Sequence, residues 1–383
     1  MRPPSTFGAR VLVAGMVAGD PHQGGATWAV LQYVLGLLRL GHDVVLVEPV
    51  EAISDTTVAY FERVCTEFGL ERRAALLLPG LHRTIGLPYE ELRRFAATSD
   101  LLLNLSGLLR DEALRERIAI QAYLDLDPCF TQLWHASGVD VGLAGHTHYA
   151  TVGQLVGDPS SVLPTSGIEW IHILPPVVLE HWPVAETTID DAFTTVGNWR
   201  SYGSIEHEGE LYGQKAHSLR SLVSLPTRTS ERFLLALAIH PDERRDLRDL
   251  ARNRWQLVDP LEVAAEPDAY RRFIAGSRAE LGVAKSGYVL SRCGWFSDRS
   301  ACYLACGRPV LAQDTGFGDV LPTGLGLLSF RTVDDALTGV EEIRRDPRGH
   351  ARAARAIAEE WLDSDRTLGF LMEAVGSSAG RLP

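Results

Sequence analysis

The 383-residue chain is poor in lysine: Lys215 and Lys285 stand alone among 37 basic residues, and the net charge is −12. The arginine-rich stretches 242–254 and 344–355 are interleaved with acids or alanine, as solvated helix faces are, so nucleic acid is not expected as a partner. Cysteine is scarce too. Cys65, Cys129, Cys293, Cys302 and Cys306 form an odd set without a CxxC pair, which excludes a disulfide framework and points to reduced thiols in the cytoplasm. No apolar run approaches the roughly 18 residues of a membrane span. The short apolar stretch near the start leads into a glycine loop and an amphipathic helix, and reads as a first strand rather than a signal peptide. Low-complexity tracts, heptads and short repeats are absent, which excludes fibrous and solenoid folds. No GxGxxG follows an expected strand, which argues against a dinucleotide oxidoreductase.

What is present is globular: 45% hydrophobic and 22% charged residues, in a chain long enough for two domains. Short apolar runs alternate with helical patterns, the mark of βαβ units and parallel sheets. Strands are expected at 11–15, at VVLVE from Val44, at LLLNL from Leu101, at IQAYLDLD from Ile120 and at VDVGLAG from Val139. Between the first two, Val30, Tyr33, Val34, Leu37 and Leu38 keep helical spacing up to Gly41. IHILPPVV is a weaker strand because two prolines interrupt it. After a loop-rich crossover, 175–191, the pattern resumes with FTTVGNW, RFLLALAIH, WQLVDP, SGYVLSR, PVLAQD and LGLLSF. The reading is an α/β chain of two Rossmann-like, doubly wound domains facing across a cleft. They span 1–180 and 190–350, and a terminal helical segment, 351–383, returns to the first.

The stretch 286–319, SGYVLSRCGWFSDRSACYLACGRPVLAQDTGFGD, carries the most information. It reads as a strand, a glycine loop, a helix opened by Ser297 and Asp298 and closed by Gly307, and another strand. Unpaired amides and the positive dipole end of a helix, beside Gly294, Arg292 and Arg299, make a diphosphate cradle. The same residues also fit a capped core helix with Arg299 in a surface ion pair.

RCGWFS at Arg292 resembles the HCGWNS core of plant secondary-product glycosyltransferases, with Arg292 at the His place and Phe296 at the Asn place. RSACYLACGRPVLAQDTG is similar to the E-A-x-A-C-G-x-P-V-V block of bacterial GT-B glycosyltransferases. Arg299 resembles the arginine of the spore-maturation type. The acid that binds ribose there is Cys302 here, and the glutamate seven or eight places earlier is missing as well. The resemblance implies the GT-B fold and a hexosyltransferase-like, metal-independent glycosyltransferase. It would move a sugar from a nucleotide diphosphate such as UDP to a hydroxyl-bearing acceptor, a small natural product. Donor-binding residues on this reading are Gly25, Lys215, Trp255, Arg292, Gly294, Trp295, Ser297, Asp298, Arg299 and Asp314. Trp255, followed by Gln256, takes the place of a base-stacking indole.

In the first domain, DPHQGGAT follows the first strand, where open α/β sheets bind ligands. Gly24 and Gly25 permit close approach, and His22 is the one side chain of the loop that titrates near neutrality. Inverting GT-B enzymes place a His here, oriented by an Asp of a later strand; Asp125 and Asp127 of YLDLDP are the candidates, Asp127 foremost. His146 and His148 of AGHTHY form a His-x-His pair without a third ligand at zinc-like spacing, and the resemblance makes them acceptor or sugar contacts. No metal and no cofactor beyond the co-substrate nucleotide sugar is expected. The partners are that donor and a small-molecule acceptor, in a bacterial cytoplasmic protein with no membrane span, for which a homodimer is admissible. A nucleotide-sugar epimerase of the same fold and a non-catalytic nucleotide-sugar-binding protein are the alternatives.

Overall fold

The computed structural model describes residues 8–378, so the outermost residues of the expected spans 1–180 and 351–383 lie outside the described residues. The first sheet holds β1 (Arg10–Ala14), β2 (Asp43–Pro49), β3 (Ala74–Leu78), β4 (Arg83–Gly86), β5 (Leu101–Leu105), β6 (Ile120–Asp125), β7 (His148–Thr151) and β8 (Ile171–His172). Their order is β4-β3-β2-β1-β5-β6-β7-β8, parallel except for the β3–β4 pair. The central strands are buried on both faces, which is why they read as unbroken apolar runs.

The second sheet is built from β9 (Asp190–Asn198), then, beyond the hairpin of β10 (Ile205–His207) and β11 (Glu210–Tyr212), from β12 (Phe233–Ala238), β13 (Gln256–Leu257), β14 (Ser277–Gly282), β15 (Val310–Gln313) and β16 (Leu327–Phe330). The order is β13-β12-β9-β14-β15-β16, all parallel. The fold is therefore α/β, with two Rossmann-like domains across a cleft. In each sheet the strand order reverses beside the first strand of the domain, between β1 and β5 and between β9 and β14. Loops leave such a point toward opposite faces, which opens a crevice outside the carboxyl ends.

Two expected strands are something else. VDVGLAG is loop, because Gly142 and Gly145 both take φ of 77°, and the Gly142 carbonyl lies against Gly107; the strand follows at His148. SGYVLSR is a short helix, Ser286–Ser291, and its strand stands earlier, at SRAELG. There Arg278 and Glu280 mask the apolar pattern: Arg278 pairs outward with Asp191 and Glu231, whereas Glu280 is fully buried.

The last described helix, Ser364–Ser378, is laid against the helix Gly24–Arg39 of the first domain. Gly36 permits that approach, since a Cβ there would meet Leu368 Cδ1 at 2.5 Å, and Arg39 pairs with Asp365 at 2.9 Å. One apolar core runs through both domains, joining Trp28 and Trp182 to Tyr270, Tyr303 and Phe296. Among the described residues no helix is long and apolar enough to cross a membrane.

Candidate active site

A cavity of about 700 Å³ lies where the two crevices meet. The first domain contributes residues 20–23, 25 and 26; the second contributes the carboxyl ends of β9 and β12, the ring of Tyr270, and Asp298 and Arg299 at the start of the helix Asp298–Ala305. The loop after β1 takes its shape from Glu48, at the end of β2. Its fully buried carboxylate accepts the backbone N–H groups of Ala18 and Gly19, while Thr27 Oγ1 donates to the Val17 carbonyl. Burial outweighs those hydrogen bonds and pushes Glu48 up to about 7. The loop delivers the N-terminus of Gly24–Arg39 to the cavity with the amides of Gly25 and Ala26 unpartnered within the described residues. Gly25 also admits Tyr270, whose ring would stand 2.8 Å from a Cβ at that position.

Two cations meet behind Gly197 at the end of β9, Arg299 in the cavity wall and Lys215 adjoining it. A Cβ at Gly197 would lie 3.4 Å from Lys215 Nζ and 3.9 Å from Arg299 Nη1, so only a glycine leaves this space open. Arg299 donates from Nε to Glu280 at 2.6 Å and from Nη1 to the Val196 carbonyl at 3.2 Å. Burial opposes its charge, but Glu280 more than offsets that and holds the guanidinium above its ordinary value. Lys215 is 8% exposed, and its ammonium has no hydrogen-bond or ion-pair partner among the described residues. Burial, and then the like charge of Arg299, push it well below the usual lysine range. The second oxygen of Glu280 is also buried without a partner. One carboxylate thus stands against two cations, an arrangement that gains from a bound anion.

His22 stands at the rim in the left-handed region, φ 66°. Its Nδ1 lies 3.2 Å from Glu266 Oε1, and its ring meets the edge of Tyr60 at 5.4 Å. The carboxylate beside His22 is therefore Glu266 of the second domain, not Asp125 or Asp127. Asp125 is buried beneath Thr131, Gln132 and Thr151, and Asp127 is held by Lys285 at 3.0 Å and by the hydroxyls of Tyr202 and Tyr288. Strand position placed both acids correctly at a carboxyl end, but neighbouring side chains claim them.

Of the other expected residues, His22, Gly25, Asp298 and Arg299 share the cavity, and Lys215 adjoins it at Gly197. Trp255 does not: it is core, packed on Phe233, with Nε1 donating to the Val223 carbonyl. Arg292 caps the helix Ser286–Ser291 and pairs with Asp319, outside the cavity lining. Gly294, with φ 73°, and Trp295 seat the second domain on residues 153–155 of the first; a Cβ at Gly294 would stand 2.7 Å from Leu155 N. Ser297 spends its hydroxyl on the Arg299 amide, and Asp314 pairs with Arg331. His146 is buried, bonded to Asn104 and the Leu143 carbonyl, and pushed down by burial to about 4; His148 is bonded to Thr147. Neither histidine lines the cavity. Among the described residues no group of three or more His, Cys, Asp and Glu is placed to hold a metal. Glu266, Glu280 and Gly197 were missed; the acid inside SRAELG was the available signal for Glu280.

No family model and no curated protein matches this chain. Solved structures do. HepE of Anabaena, in complex with UDP and glucose, is 12% identical over 96% of this chain and 100% of its own, with a TM-score of 0.60. A glycosyltransferase from Rickettsia africae ESF-5 is 11% identical over 99% and 100%, with a TM-score of 0.59. An alpha-glucosyltransferase in complex with UDP-glucose and DNA containing an abasic site is 12% identical over 96% and 98%, with a TM-score of 0.60. What this chain shares with them is the two-domain fold, along nearly its whole length.

Proposed function

We propose that the chain is a glycosyltransferase that moves a sugar from a nucleoside diphosphate to an acceptor hydroxyl. The observation that carries this reading is the buried, unpartnered ammonium of Lys215 beside Arg299 across Gly197, at the switch point of a fold shared with glycosyltransferases. The diphosphate fits between these cations and the amides of Gly25 and Ala26. As the bond from C1 to the phosphate oxygen breaks, its electron pair goes to the diphosphate, and the same charges stabilise that leaving group without a metal ion. The acceptor oxygen forms the new bond to C1, and its proton goes to His22. Ile239, Leu247 and Leu257 supply an aliphatic slot for the base, and UDP is the first choice.

The acceptor on this reading is a small hydroxyl compound. A chain with net charge −12 lacks the basic tract that a DNA acceptor demands, although one protein of this fold carries DNA. Its five free, buried cysteines suit the cytoplasm.

A thermal-shift series with UDP, GDP, ADP, CDP and dTDP tests the scheme. At 100 times its dissociation constant the right diphosphate adds about 2.7 kcal/mol of stability. Indifference to all five overturns the proposal.

A further inference from the structure

We infer that Glu266 is the positioning residue for His22, so that the proton acceptor of the cleft is assembled from both domains. The inference rests on reading the cavity as a glycosyl-transfer site.

Four consecutive residues of the second domain, Ala264 to Pro267, are each bonded to the first. The Ala264 carbonyl accepts the Gly24 N–H at 2.9 Å, the Ala265 carbonyl accepts the Tyr60 hydroxyl at 3.3 Å, and the Pro267 carbonyl accepts Trp28 Nε1 at 2.9 Å. Between them the Glu266 side chain reaches His22 Nδ1 at 3.2 Å and Arg63 Nη2 at 2.6 Å, both in the first domain. Gly24 is a glycine for the same reason: a Cβ there would stand 2.4 Å from the Glu266 carbonyl oxygen. Glu266 precedes the helix Pro267–Gly276 but makes no capping bond with its side chain, so its carboxylate is not committed to the helix.

A carboxylate on Nδ1 selects the tautomer with hydrogen on that nitrogen, which leaves the Nε2 lone pair to take a hydroxyl proton. It also stabilises the imidazolium that forms. The left-handed backbone of His22 and the edge of Tyr60 set where the ring stands; Glu266 sets which nitrogen is the base. Arg63 draws on the same carboxylate oxygen and keeps it aimed at the His22 loop. On this arrangement neither domain alone holds a working base, and acceptor activation depends on the donor domain being seated.

The test is ¹⁵N NMR of the histidine side chains, with the His22 signals assigned by their loss in His22→Gln. The neutral His22 ring is expected as the Nδ1–H tautomer in the wild type. In Glu266→Ala it is expected to move toward Nε2–H, with Glu266→Asp partly restoring the first. Kinetically, using the nucleotide sugar selected by thermal shift, Glu266→Ala is expected to lower kcat about 10²-fold while KM for the donor stays within about twofold. A tautomer that does not change in Glu266→Ala, or a loss carried by KM alone, overturns the inference while leaving the proposed function standing. Failure of every diphosphate to bind the wild type overturns the function instead, and the tautomer result then stands on its own.

Discussion

Arg299 and Lys215 look interchangeable as cations, yet their neighbours predict opposite responses to removal. Arg299 neutralises Glu280, which has nowhere else to turn. Arg299→Met leaves a fully buried carboxylate uncompensated and is expected to cost about 3–5 kcal/mol in denaturant unfolding, much of it recovered by adding Glu280→Leu. Lys215 makes no ion pair in the free protein, and burial and the charge of Arg299 both oppose its own. Lys215→Met is therefore expected to leave stability unchanged or raised, while weakening diphosphate binding at least tenfold, as loss of a charged hydrogen bond of about 1.5–3 kcal/mol does. Calorimetric titration of both variants with the selected diphosphate checks the pair; a Lys215→Met protein that melts lower and binds normally would reverse the assignment. The sequence marked both residues through spacing and family likeness. Glu280 showed only as an acid inside SRAELG; its burial inside β14 decides which of the two can be removed without harm.

Among the elements, the loop after β1 depends on one titrating group. Glu48 sits near 7 in the folded protein against 4.5 for an ordinary glutamate, so the folded state holds its proton more tightly than the unfolded chain does. The resulting stabilisation is complete below about pH 4.5 and is lost as pH rises through 7, to the extent of about 3 kcal/mol. Glu48→Gln cannot lose it. The variant should therefore gain on the wild type in melting temperature between pH 5 and pH 8, and parallel pH profiles would show that the carboxyl does not govern the loop. At the end of β9, Gly197→Ala is expected to weaken diphosphate binding, because its methyl would occupy the space between Lys215 and Arg299. The glycines of DPHQGGAT were legible as close-approach positions. What approaches them was not: Gly24 meets the Glu266 backbone and Gly25 meets the Tyr270 ring.

At the scale of the whole molecule the two domains are joined by a shared apolar core and by the pair Asp127–Lys285, wrapped by Phe130, Tyr202 and Tyr288. Burial lowers Lys285 from its ordinary value and Asp127 partly restores it. Lys285→Met strips Asp127 of its counter-charge and is expected to cost about 1–3 kcal/mol, with faster amide exchange in the segments around Asp127 and Tyr202. Exchange unchanged in both segments would mean that the apolar core alone holds the domains.

The alternation of apolar runs with helical patterns, the break near residue 180 and the capped helix after Ser297 are short-range properties. Backbone hydrogen bonding and side-chain periodicity act over a few residues, so the two doubly wound halves and the strand ends that face the cleft were legible in the residue order alone. The partners of the chemical groups were another matter. Glu266 lies 244 residues from His22, and Lys285 lies 158 from Asp127. Which carboxylate meets which cation or imidazole depends on how one sheet is seated against the other, and that seating is the sum of many non-directional apolar contacts. That seating, which no local pattern records, leaves Arg292, Trp255 and His146 outside the cavity and brings the carboxylate beside His22 across from the opposite domain.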